Sequence, residues 1–250
     1  MLKKLKLIYQ RERLEPSLIG AFVNPFYYAK RELGKAVKKF SGAIAGKVLD
    51  VGCGQKPYRA YFKCSEYIGL ELDTIENRLQ KKADIYYDGK TFPFACEEFD
   101  SIVANEVMEH VFNPEQFLNE INRVLKNGGH FLITVPFVWD EHEQPYDYAR
   151  YSSFGLFFLL EKHGFKIIKS EKTLCDIRIL FQLFFAYLYK KIYTNSGIIN
   201  SLLNVFLVFP LVISGEILNF VCPKNSDFYL DNVVLAQKIH NEPKSDFDRK

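Results

Sequence analysis

Short apolar runs, each closing on an acid, a glycine or another polar residue, recur along the first half of the chain. Lys47-Val48-Leu49-Asp50-Val51-Gly52-Cys53-Gly54 reads as an interior strand feeding a glycine turn. Aliphatic and β-branched side chains suit a buried strand, and glycine admits positive φ. Tyr67-Ile68-Gly69-Leu70-Glu71 and Asp84-Ile85-Tyr86-Tyr87-Asp88-Gly89 repeat the pattern as a second and third strand. Residues 99–105, 130–135, 165–169 and 228–236 predict four more. Helical stretches fall between and before them. Residues 25–40 predict a helix ahead of the first strand, and Pro57 stands where a helix would open after the glycine turn. Asn113 with Pro114 caps a helix that runs through Glu115 to Leu125 and is ended by Gly128-Gly129, and Ser153 caps another that ends at Gly164. Strands alternating with helices define an α/β, doubly wound sheet whose ligand sits at the carboxyl ends of the strands.

The second half breaks this rhythm. Between the sixth and seventh strands lies a strongly apolar insert over residues 175–222, with blocks at 177–189 and 198–221. Lys190-Lys191 and Asn195-Ser196-Gly197 separate the blocks. The second block is long enough to span a bilayer. A single crossing conflicts with the return of the chain to the sheet, and the first block is too short to be a second span. The insert is therefore expected to form two helices that contact a membrane surface without crossing it, a second subunit, or a lid over the site.

The chemistry concentrates around Asp50. A phosphate-binding turn would not carry a carboxylate at its mouth, whereas a ligand with an ammonium and a sulfonium would be attracted to one. Asp50-Val51-Gly52-Cys53-Gly54 resembles the acidic-x-Gly-x-Gly signature of the class I S-adenosylmethionine-dependent methyltransferases. The third glycine often found two residues later is replaced by Lys56, which argues against a dinucleotide fingerprint. The later runs fit the same family in order. The resemblance covers residues 47–136 and its branch is associated with glycan or lipid modification. It implies a Rossmann-like sheet of about seven strands, mostly parallel with an antiparallel edge strand. It implies S-adenosylmethionine as cofactor, with Asp50, Gly52, Cys53 and Gly54 around the methionine end. Glu71 would hold the ribose, with Asp73 competing for that role. Asp88, five residues before Pro93-Phe94, would lie near the adenine, and Asn105 beside the reacting methyl.

The loop after the fifth strand, residues 136–151, carries the substrate question. Trp139, Tyr146 and Tyr151 (with Tyr148) could stack on a sugar or an apolar acceptor. Asp147 and Arg150 either contact substrate or pair with each other to order the loop. His142 and His110 compete as general base, since a histidine takes up a proton near neutral pH.

Composition narrows the classes. With 250 residues, 48% of them hydrophobic, the chain can bury a full core. The expected organisation is a basic helical extension over residues 1–46, a catalytic domain over 47–174 and 223–240, and the insert. The net charge of +3 is too small to imply nucleic acid. Basic residues nevertheless dominate up to Phe40, among them Lys3, Lys4, Lys6, Arg11 and Arg13. That stretch is either a solvated helix face or a contact for an anionic surface. The five cysteines show no C-x-x-C spacing and read as reduced thiols; no metal site is expected. The start is basic without a long apolar core, so no secretory signal is expected. The resulting expectation is a methyltransferase acting on oxygen of a glycan or lipid-linked acceptor, cytoplasmic and peripheral at the cytoplasmic membrane face. A soluble metabolite or quinone-like ring is the alternative acceptor, and a non-catalytic cofactor-binding partner of a membrane glycan-assembly enzyme the alternative role.

Overall fold

The apolar runs form the strands β1 (Ala45–Val51), β2 (Lys63–Leu72), β3 (Ile85–Tyr87), β4 (Phe99–Asn105), β5 (Leu125–Pro136), β6 (Phe165–Lys172) and β7 (Asp231–Lys238). They make one seven-stranded sheet in the order β3-β2-β1-β4-β5-β7-β6. β1 runs parallel to β2 and β4, β2 to β3, and β4 to β5. β7 runs against β6: the Ile239 amide donates to Gly164 O while Thr173 N donates to Asp231 O, so sequence rises along one strand as it falls along the other. The order reverses between β1 and β4, which places the ligand crevice of an open α/β sheet at their carboxyl ends. Leu49, Ile102, Phe131, Ile133 and Val234 are fully buried at the centre of the sheet's core.

This computed structural model describes residues 12, 16–22 and 24–239. The basic residues Lys3, Lys4, Lys6, Arg11 and Arg13 of the expected extension lie outside the described residues. The chain forms two compact units. Of the described residues, one unit holds 39–136, 143–171 and 232–239; the other holds those up to Lys38, 137–142 and 172–231.

Three local expectations are corrected. No α-helix follows the glycine turn: residues 52–62 contain only a 3-10 turn at Arg59–Tyr61. Lys56 takes a left-handed φ of 55°, and the chain is already extended at Phe62. The helix α3 (Pro114–Val124), preceded by α1 (Tyr27–Phe40) and α2 (Ile75–Gln80), ends one residue short of the expected Leu125, but Gly128-Gly129 are not its stop. Leu125 pairs with Phe99 and His130 with Ser101, so the intervening residues bulge, with Gly128 at φ 73°. Finally, Ser152 rather than Ser153 caps α4 (Ser153–Lys162), accepting a hydrogen bond from Gly155 N at 3.2 Å.

In the other unit the insert is helical as expected. α5 (Arg178–Ile192) is followed by α6 (Gly197–Leu203), which continues through a π turn at Asn204–Val208 into α7 (Phe209–Val221). Residues 197–221 thus form one 25-residue helical rod. Tyr28, Ile179, Phe185, Val208 and Val212 form this unit's own core.

Candidate active site

The carboxyl ends of β1, β2 and β4 bring the cofactor candidates together. Asp50 pairs in register with Gly69 of β2 and Val103 of β4. It is buried, and its Oδ2 accepts a hydrogen bond from the Tyr67 hydroxyl at 2.7 Å. Burial pushes the Asp50 carboxyl up to about 7, against the Tyr67 hydroxyl and the Lys56 ammonium, which favour its ionised form. The turn that follows needs glycine at Gly52. Its φ is 65°, and a Cβ there would collide with Val107. Gly54 also has positive φ, but a Cβ there would meet nothing within 4 Å. At Gly54 the loop backbone is open to a close ligand. Cys53 is buried, and its thiol is pushed up to about 12 by burial, so it packs as a neutral group.

Glu71 closes on this loop: its Oε2 accepts the Gly54 amide at 3.1 Å and its Oε1 the Leu72 amide at 3.3 Å. The rival Asp73 is engaged with Arg78, which donates to both its oxygens at 2.6 and 2.9 Å. Asp88 folds onto its own turn, accepting from Lys90 N at 2.9 Å and Thr91 N at 3.2 Å, and these amides hold its carboxyl below the usual range. Asn105 ends β4, and its Oδ1 is buried with no hydrogen-bond partner among the described residues. A buried, unsatisfied acceptor is costly unless a ligand group meets it.

Two residues were missed by the sequence reading. Lys56 crosses Gly69 and pairs with Asp84 at 2.5 Å, whose Oδ2 also accepts the Gly69 amide at 2.7 Å. A Cβ at Gly69 would sit 2.7 Å from Cys53 Sγ, so this glycine makes room for the loop. Tyr67 is the other. The signal lay in the alternation of β2, where Tyr67, Gly69 and Glu71 share one face.

The turn after β4 carries His110, whose Nδ1 lies 2.7 Å from Tyr146 O. A carbonyl only accepts, so Nδ1 bears a proton. Glu109 Oε1 lies 3.7 Å from the ring's Nε2. Tyr148 N donates to Glu109 O at 2.8 Å, which fastens residues 143–151 to this turn. Arg150 grips Asp147 with two bonds of 2.6 and 2.7 Å, and Asp147 is almost fully buried. This pair orders the loop. Tyr151 packs against the sheet's core. Tyr146 and Tyr148 stay exposed, and Phe112, 82% exposed, meets Tyr148 edge-on at 5.3 Å. Trp139 and His142 belong to the other unit. There Trp139 packs edge-on with Phe26 at 5.7 Å, and His142 Nδ1 lies 3.2 Å from Asp140 O.

Comparisons agree with this arrangement. Residues 49–133 match the family described as a methyltransferase domain. An uncharacterised protein of Methanocaldococcus jannaschii is 27% identical over 143 residues, which cover 52% of this chain and 69% of that protein. A fatty-acid O-methyltransferase of Mycolicibacterium smegmatis is 32% identical over 103 residues, 36% of this chain and 38% of that enzyme. The chain therefore matches little more than a third of that enzyme. The structure of an S-adenosylmethionine-dependent methyltransferase from Thermotoga maritima shares the fold, with a TM-score of 0.53 at 16% identity and coverage of 95% and 96%. Strand order and glycine turn define a doubly wound α/β fold with its crevice at the β1–β4 switch point. Residues 49–133 thus carry a methyltransferase domain, set in the fold of the class I S-adenosylmethionine-dependent methyltransferases. The site fits that cofactor: two carboxylates flank the loop, Gly54 is open, and Asn105 Oδ1 lacks a partner among the described residues.

Proposed function

We propose that this chain transfers a methyl group to an oxygen of a glycan or lipid-linked acceptor. The observation that carries the reading is the exposed aromatic edge of Phe112, Tyr146 and Tyr148 on the same turn-and-loop pair as His110. Aromatic faces stack on sugar rings and on apolar chains alike. The fatty-acid O-methyltransferase relative lends support to an acceptor of this kind.

S-adenosylmethionine supplies an electrophilic methyl on a sulfonium. The chain's tasks are to orient the acceptor and to remove its hydroxyl proton. Asp50, Glu71 and Asn105 would hold the amino, ribose and methionine portions, with Asp88 beside the adenine. His110 would take the acceptor's proton on Nε2, and the Glu109 carboxylate, 3.7 Å away, would favour the imidazolium so formed. His142 is the second candidate base.

The test is transfer of a labelled methyl group from S-adenosylmethionine to separated lipid, lipid-linked glycan and soluble extracts. Label is expected in a lipid or glycan fraction; label only in soluble metabolites sinks the acceptor class. Replacing the working histidine by Ala should lower turnover on the order of 10²-fold with S-adenosylhomocysteine affinity intact. Full turnover of both His110→Ala and His142→Ala between pH 6 and 8 rejects the base.

A further inference from the structure

The helical rod of residues 197–221 has two distinct faces. Its inward face is Asn204, Val208, Val212 and Gly215, all buried, at spacings of four, four and three. Polar ties run along it. Asn204 Oδ1 accepts from the Tyr193 hydroxyl, Val212 O accepts from the Tyr28 hydroxyl at 2.5 Å, and Glu216 pairs with Arg178 at 3.3 Å and Arg31 at 3.8 Å. Its outward face carries large apolar side chains: Ile198, Phe206, Ile217 and Phe220 are 78%, 76%, 64% and 96% exposed. Only 17% of the rod's most apolar window is buried within the protein.

Charge selects what covers this face. Between residues 177 and 221 the single carboxylate is Glu216, and it is turned onto two arginines. Exposed lysines stand at both ends, Lys191 before the rod and Lys224 after it, while neighbouring Lys190 is paired with Asp140 at 2.6 Å. A second copy of the same face would set lysines against lysines, whereas an anionic lipid surface complements them. The rod is long enough to cross a bilayer, but crossing would carry its anchors to the same depth. Arg31, Glu32, Arg178 and Glu216 lie close together there, and each ionised group at the bilayer centre costs several kcal/mol. The asparagines do not point to headgroups either: Asn200 binds the backbone of Thr194 at 2.7 and 2.9 Å, closing the turn between α5 and α6.

We propose that the outward face of residues 197–221 docks in the plane of an anionic lipid surface without crossing it. This goes beyond the methyl-transfer reading and holds whatever the acceptor is. The full chain should float with phosphatidylglycerol–phosphatidylcholine vesicles and much less with phosphatidylcholine alone, and alkaline carbonate should release it. Phe206→Asp and Phe220→Asp should each reduce vesicle partition at least about tenfold, since each removes a large apolar contact. Lys191→Glu with Lys224→Glu should weaken it and flatten its salt dependence. S-adenosylhomocysteine binding by these variants confirms folding. Unchanged flotation of the Asp variants, no flotation of the intact chain, or retention after carbonate overturns the proposal. A lipid-indifferent dimer that Phe220→Asp converts to monomer assigns the face to a second copy instead.

Discussion

Glu71 offers the most direct test of the cofactor site. A carboxylate has about four lone-pair positions. Two of those on Glu71 are taken by the Gly54 and Leu72 amides, at 3.1 and 3.3 Å. The remaining positions are those that two vicinal ribose hydroxyls would use. Glu71→Ala removes a charged acceptor worth about 1.5–3 kcal/mol, or roughly 10- to 150-fold in Kd. Loss of the Gly54 contact costs stability by only about 0.5–1.5 kcal/mol, because that amide can turn to water. Glu71→Gln keeps an acceptor without the charge and should fall between. Calorimetry with S-adenosylhomocysteine reads the affinity, and thermal unfolding checks the fold. An analogue lacking one ribose hydroxyl should lose less affinity in Glu71→Ala than in the parent chain. A folded Glu71→Ala protein whose Kd stays within about twofold of the parent refutes the ribose assignment, because a charge-assisted hydrogen bond cannot vanish at so small a cost.

Gly52→Ala should destabilise the protein by about 2–5 kcal/mol, from the left-handed backbone and the collision with Val107 together. Thermal unfolding of Gly52→Ala with and without Val107→Ala separates the two, since only the collision is relieved by the second change. Asp50 predicts a pH dependence. Its carboxyl sits near 7 in the folded chain, above its ordinary value of 3.8, so the stability from keeping it neutral is present below about pH 4. That stability is lost as pH rises through 7. Asp50→Asn should therefore gain on the parent chain in unfolding temperature between pH 5 and 8. A cofactor ammonium favours the ionised carboxylate, so affinity for S-adenosylhomocysteine should rise up to about tenfold per pH unit below 7 in the parent and stay flat in Asp50→Asn. Parallel pH profiles of the two proteins would remove Asp50 from the cofactor site.

The strands were legible because each is a short apolar run bounded by polar residues, and a buried parallel strand needs little else. Asp147 and Arg150 were legible as a pair from their spacing; that the pair orders the loop required seeing Asp147 buried. Helix ends were less legible. Gly128 reads locally as a helix stop, but pairing of Leu125 with Phe99 ends the helix earlier and turns the glycine into a bulge. The two apolar blocks announced the insert's helices. Which face of the rod is buried depends on Tyr28 and Arg178, distant in sequence, so no local periodicity could reveal it. Trp139 shows the converse: an aromatic in an apparent substrate loop packs against Phe26.

Lys56 explains how a glycine turn works here without the helix that usually follows it. It holds φ 55° where the related motif has glycine, a conformation that costs a side chain about 1–2 kcal/mol. The ion pair with Asp84 at 2.5 Å, largely sheltered on the lysine side, offsets part of that cost. The same pair ties the loop to the chain entering β3. The loop is thus fastened by a side-chain bridge rather than by a helix start. That difference bears on the ligand. A phosphate site draws on the amides and dipole of a helix N-terminus, and between β1 and β2 there is only a 3-10 turn. Asp50 and Glu71 add two carboxylates at the same place. A dinucleotide's pyrophosphate would meet repulsion with no compensating helix. A nucleoside whose charged groups include an ammonium and a sulfonium would meet attraction. The departure from the three-glycine motif therefore strengthens the assignment to S-adenosylmethionine, because it removes the one feature that a phosphate ligand would require.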